Sequence, residues 1–197
     1  MTSDSVYQIT YDCLMQTDPA AKVAAVDRLV AAWRGQQLVT SHGPDIEPVP
    51  VPGRPQRPRL VPPTRVPRRS PASLPGRLRL VHAIAHIEFN AINLALDAVY
   101  RFRGMPATYI SDWLRVAEEE ARHFCLLRDY LEAAGSHYGE HDAHNGLWEM
   151  ACKTDHDVLV RMALVPRVLE ARGLDVTPGM IEQCRRAGDT ELVDILG

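Results

Sequence analysis

Eleven of the 15 prolines lie between Pro44 and Pro75, and that run constrains the fold more than any other feature of the chain. Proline has no backbone N–H, so neither a helix interior nor a central strand tolerates it at this density. The segment is expected to be an extended, polyproline-like connector, either loose or draped over a folded body. It divides the sequence into a helical segment over residues 1–43, the connector over 44–75 and a body over 76–197. Eight arginines and no acidic residue fall between Gly53 and Arg79. Two readings fit them: pairing with acidic helix faces beneath a wrap, or contact with an anionic partner such as RNA.

With 197 residues the chain has room for one domain with a sizeable core. Hydrophobic residues at 46% and charged residues at 24% are ordinary globular usage and exclude a wholly disordered chain. The net charge of −3 excludes a protein held to nucleic acid by global charge alone. No uninterrupted apolar stretch of about 18 residues occurs, so no spanning helix is expected. The opening MTSDSVYQIT lacks the basic and apolar regions of a signal peptide. Cys13, Cys125, Cys152 and Cys184 lie far apart with no C-x-x-C pair, which argues against a disulfide framework or zinc knuckle. A reducing, cytoplasmic setting is the expectation. The sequence shows no glycine-rich phosphate loop, nucleophile elbow or Cys/His dyad.

The remaining signal is helical, and the fold class read from it is all-α, a bundle joined by short loops. Asp18-Pro19 is an N-cap followed by proline at the first helical position. Val23, Val26, Val30 and Trp33 then recur at helical spacing, predicting a helix over about 19–38. A shorter helix fits Val6 to Met15. Beyond Arg79 three long helices are expected, over about 76–103, from just after Pro106 to near Gly135, and from about Asn145 to Ala171. Pro166 should kink the third, and Gly173 should end it.

Carboxylates interrupt the apolar faces of these helices. In the first, Leu78, Val81, Ala85, Glu88, Ile92, Ala95, Val99 and Phe102 form one stripe, so Glu88 points into the seam. In the second, Ile110, Trp113, Ala117, Glu120, Phe124, Leu127 and Leu131 form a stripe, and His123 follows Glu120 by one turn. Glu118 and Glu119 can pair with Arg122 and Arg115, which marks the wet side. In the third, Cys152, Leu159, Ala163 and Leu169 are read as inward, with Glu170 closing the set. A lone Glu in a stripe commonly snorkels outward, and a lone His is commonly a hydrogen-bonded core residue. Together these residues fit that account poorly. Each ionised carboxylate left unpaired in a dry seam costs several kcal/mol, and no arginine lies in the seams. A hard cation resolves the conflict, and carboxylates with a Glu-x-x-His pair are the ligands of di-iron and di-manganese bundles. Glu88, Glu120, His123 and Glu170 are therefore the candidate metal ligands. His82 and His86 face away from Glu88. His137, His141 and His144 cluster in SHYGEHDAHNG, where capping and surface roles compete with a second metal site.

The segments HAIAHIEFNAINLALDAVYRF, DWLRVAEEEARHF, YGEHDAHNGLW and RMALVPRVLEARGLDVTP resemble the bacterial DUF455 ferritin-like proteins. Those are similar in turn to the tRNA-(2-methylthio-N6-isopentenyladenosine) hydroxylases, which are non-haem di-iron oxygenases. The resemblance spans about residues 52–197. It implies a ferritin-like bundle, two iron ions in the full family pattern, and ligands that fall on Glu88, Glu120, His123 and Glu170. The family pattern continues into a fourth core helix with a second Glu-x-x-His. Here that helix would begin near Asp189-Thr190, about two turns before Gly197. The expectation is a site short of two ligands that holds about one ion.

Two function classes follow. One is an oxidoreductase, a non-haem iron protein (manganese being the alternative metal) acting with dioxygen on a small-molecule or tRNA-linked substrate. The other is a non-catalytic metal-binding or partner-binding module, with a protein partner at an open bundle face. A third, the Arg/Pro connector as an RNA-binding arm, would require salt-sensitive RNA affinity.

Overall fold

The computed structural model describes residues 4–66, 73–165 and 177–197. The chain is an all-α helical bundle as expected; its one described sheet is a parallel pairing of β1 (Asp4–Ser5) with β2 (Leu38–Val39). The helices are α1 (Val6–Met15), α2 (Pro19–Arg34), α3 (Leu74–Arg101), α4 (Ala107–Ala133), α5 (Gly146–Lys153), α6 (Val158–Leu164), α7 (177–186) and α8 (Thr190–Leu196). They gather into two compact units, Met1–Gln56 with Glu88–Arg122, and Arg57–Ile87 with His123–Gly197. α3 and α4 run unbroken and give residues to both. No helix among the described residues is long and apolar enough to cross a membrane.

In the first unit, Asp18 caps α2 by accepting a hydrogen bond from the Ala21 amide at 2.8 Å. Val26, Leu29 and Val30 are buried on one face of α2. The first part of the connector is tied to this unit by its backbone. The Gly53 amide donates to the Leu14 carbonyl at 3.0 Å. A Cβ at Gly53 would lie 2.2 Å from the Met15 carbonyl carbon, so this approach admits glycine alone. The Tyr100 hydroxyl accepts from the Glu47 amide at 2.8 Å and donates to the Asp45 carbonyl at 3.1 Å. Among described residues 44–66 the longest regular element is the 3-10 turn Pro63–Arg65.

In the second unit the connector meets the loop after α4. The Val61 amide donates to the Ala143 carbonyl at 2.8 Å, and the Ala143 amide donates to the Arg59 carbonyl at 3.0 Å. Arg59 also pairs with Asp142 at 2.6 Å, so this connector arginine finds an acid in its own chain. Asp189 caps α8 through the Leu192 amide. Its other oxygen takes hydrogen bonds from Arg77 at 2.8 Å and Tyr130 at 2.6 Å.

Three expectations need correction. The helix over 19–38 ends at Arg34. Glu118 pairs with Arg34 of α2 in place of Arg122, and Arg115 pairs within α4 with Asp112 in place of Glu119. The third long helix is broken into α5 and α6. The Thr154 hydroxyl bonds back to the Met150 carbonyl at 2.9 Å. Asp157 then caps a new helix by accepting from the Leu159 and Val160 amides at 2.7 and 3.1 Å. Buried Arg161 spans the break, donating to the Thr154 hydroxyl and the Ala151 carbonyl at 2.8 and 2.7 Å. These side-chain bonds offer the backbone an alternative to continuing the helix. The break also resets the helical phase, so Leu159 and Ala163 face outward, Leu159 at 77% exposure; Cys152, ahead of the break on α5, is exposed as well. Pro166, Leu169, Glu170 and Gly173 lie outside the described residues.

Candidate metal centre

α3 and α4 are long because their sequences sustain helical stripes without a breaker, and those stripes aim the site residues. On α3, Val81, Ala85, Ile92, Ala95 and Val99 are fully buried on the stripe of Glu88. On α4, Ala117, Phe124 and Leu127 are buried on the stripe of Glu120. Glu88 and Glu120 are half-buried, and His123, one turn beyond Glu120, is partly open to solvent. Each of the three offers a ligand atom, and these atoms all lie within 4.8 Å of one another. Of the four residues singled out from the sequence, three converge, and Glu170 is among the residues left undescribed.

The electrostatics match the geometry. Burial, a hydrogen bond with Glu120 and the negative charge of Glu120, in that order, push the Glu88 carboxyl up to about 9. At neutral pH the pair therefore holds a proton, because two adjacent carboxylates in a half-dry seam cannot both ionise cheaply.

The other histidines have different work. His82 and His86 are buried. The His82 ring accepts from the Gly139 amide at 2.9 Å, and His86 Nδ1 shares a hydrogen bond of 2.9 Å with the Tyr138 hydroxyl. His82 also meets His141 edge-on, with ring centroids 5.3 Å apart. His144 Nδ1 accepts from the Gly146 amide at 3.3 Å, a capping role as read from the loop sequence.

Sequence reading missed a polar stripe on α3. His82, His86, Asn90, Asn93 and Asp97 recur at spacings of three and four, and all are buried. Asp97 pairs with Arg101 at 2.8 Å, and Asn93 accepts from the amine of Lys22, itself fully buried. The signal was available in the chain. Lys22 stands four residues before Val26 and seven before Leu29 on the buried face of α2, and α3 carries polar residues at helical spacing opposite its apolar seam.

Over 149 residues the chain is 52% identical to an uncharacterized protein of Haemophilus influenzae, a match covering 72% of this chain and 52% of that one. The chain thus spans about half the length of the curated relative it matches. No solved structure matches it. Residues 15–197 match the model of a protein family of unknown function, DUF455, and the chain belongs to that family.

Proposed function

We propose that this protein is a non-haem iron protein of oxidoreductase type, with its ion held by Glu88, Glu120, His123 and Glu170. The convergence of Glu88, Glu120 and His123 carries the reading. Two carboxylates and an imidazole are a donor set suited to iron or manganese. The proton retained between Glu88 and Glu120 marks a deficit of positive charge that a divalent cation would fill.

An iron ion held there supplies redox chemistry with dioxygen. The chain's own residues do the rest. Glu88 and Glu120 release their proton on loading and offset the charge of the ion. His123 is fixed relative to Glu120 by the single helical turn between them. Buried Ile92, Ala117 and Phe124 on the adjoining turns keep the neighbourhood of the carboxylates apolar, which strengthens each charge interaction within it. An organic substrate, small or tRNA-linked, and a cytoplasmic setting belong to the same proposal.

One observation favours the non-catalytic alternative. Ile87 and Leu126, each within one turn of a ligand on its own helix, are exposed large apolar side chains, as a partner-binding face would present. Anaerobic loading with Fe²⁺, followed by metal analysis and oxygen-uptake measurement, decides between them. About one iron per chain, lost in Glu88→Ala, Glu120→Ala and His123→Ala, with oxygen uptake, supports the oxidoreductase. Retention without uptake supports the module, and iron held equally by all three variants rejects the site.

A further inference from the structure

The C-terminus of α2 ends in an unusual way. Gly35 follows the helix, yet it takes φ −75°, and the left-handed conformation falls on the next residue, Gln36, at φ +55°. The closing hydrogen bonds are those of an ordinary helix terminus: the Gln36 amide donates to the Trp33 carbonyl and the Gln37 amide to the Ala32 carbonyl, both at 3.0 Å. Glycine is favoured at the left-handed position because it has no Cβ. A side chain there is strained, and strain of this kind gathers at binding sites.

Gln36 lines a cleft of about 420 Å³ within the first unit, a volume in the range of small-molecule sites. Val30, Leu38 and Leu114 form its apolar lining, with Trp33 beside them. The Trp33 indole N–H donates to the Ser111 hydroxyl at 2.9 Å, and that hydroxyl donates to the Ala107 carbonyl at 3.0 Å, so the ring is held in place before any ligand arrives. Arg34 and Arg115 also line the cleft. Their partners, Glu118 and Asp112, are not lining residues, and both arginine side chains are more than half exposed. Exposed ion pairs of this sort are weak enough for a ligand anion to displace the carboxylate. None of these lining residues belongs to the Glu88 group.

We propose that this cleft binds a flat apolar ring carrying one anionic group. The ring lies against Trp33 and the aliphatic lining, the anion meets Arg115 or Arg34, and the Gln36 amide hydrogen-bonds the ligand. The side chain of Gln36 is what the strained backbone retains.

Calorimetric titration of the full chain with 2-naphthoate and with 2-naphthol, which share a ring and differ in charge at pH 7, tests this. The wild-type chain is expected to bind naphthoate at least about tenfold more tightly than naphthol. The double variant Arg34→Gln with Arg115→Gln should bring the two affinities together, and a charge preference that survives it would overturn the proposal. Gln36→Gly should raise the melting temperature by roughly 1–4 °C while weakening naphthoate severalfold. A purely structural Gln36 would give the first effect without the second. Equal affinity for the two probes, no binding of either, or a Gln36→Gly variant that melts lower or binds as the wild type does would overturn the proposal.

Discussion

On α3, Glu88 faces a second carboxylate, while Asn93, little more than a turn further along, receives the amine of Lys22. Both places bury an ionisable group, and each answers the cost of burial in its own way. The Lys22 amine donates to two acceptors, the Leu14 carbonyl at 2.8 Å and the Asn93 side chain, and lies 5.3 Å from the centre of the Phe89 ring. Burial lowers its pKa to about 7 against the opposing pull of Cys13, and a neutral amine has two N–H groups for its two acceptors. The amine is satisfied without a ligand, while the Asn93 side-chain nitrogen beside it is buried with no hydrogen-bond partner among the described residues. The carboxylate pair relieves its repulsion with a proton, which a cation can replace. Buried charge alone does not mark a site; charge of one sign left in excess does.

The largest effect should come from removing one of the amine's acceptors. Asn93→Leu removes an acceptor from a fully buried amine and should cost about 2–3 kcal/mol at pH 6, read by urea unfolding. A loss under about 0.5 kcal/mol would mean that Asn93 does not hold Lys22.

The pH profiles of stability separate the two places further. With Glu88 raised from 4.5 to about 9, the folded chain binds more protons than the unfolded one between those values, so metal-free stability should fall as pH rises through that window. The slope is at most about 1.4 kcal/mol per pH unit, and Glu88→Gln should remove it. With Lys22 lowered from 10.5 to about 7, the unfolded chain binds more protons between 7 and 10.5, so stability should rise there. Lys22→Met should flatten that rise, whose slope is likewise at most about 1.4 kcal/mol per pH unit. Where the windows overlap, between 7 and 9, the opposing slopes should leave the wild type nearly level. The smallest effect is the control. Glu119, exposed on the outer side of α4, should change stability by no more than about 0.5 kcal/mol on conversion to Gln.

Legibility followed local physics. Val6 to Met15, the Asp18 cap and the long stripes of α3 and α4 could be read in advance because capping and periodicity act within a few residues. Glu88, Glu120 and His123 could be paired because α3 and α4 have no breaker, which keeps each residue's angular position countable from end to end. The same counting failed after Lys153. Thr154, Asp157 and Arg161 rearrange the backbone through side-chain hydrogen bonds, and a phase carried through that break puts Leu159 on the wrong face. The partners of Arg34 and Arg59 were not legible either, since an exposed arginine takes whichever acid the fold brings near. Lys22 was legible in principle, as a cation in an apolar stripe, but its acceptor is 71 residues away in sequence.

The most direct test of the central claim is a calorimetric titration of the metal-free chain with Mn²⁺ at pH 7, repeated in buffers of different ionisation enthalpy and with Glu88→Gln. The account predicts about one ion per chain and a proton released from the Glu88–Glu120 pair as the ion enters, with affinity at least about tenfold weaker in the variant. Binding that ignores the substitution, or no binding to the wild-type chain, would contradict it.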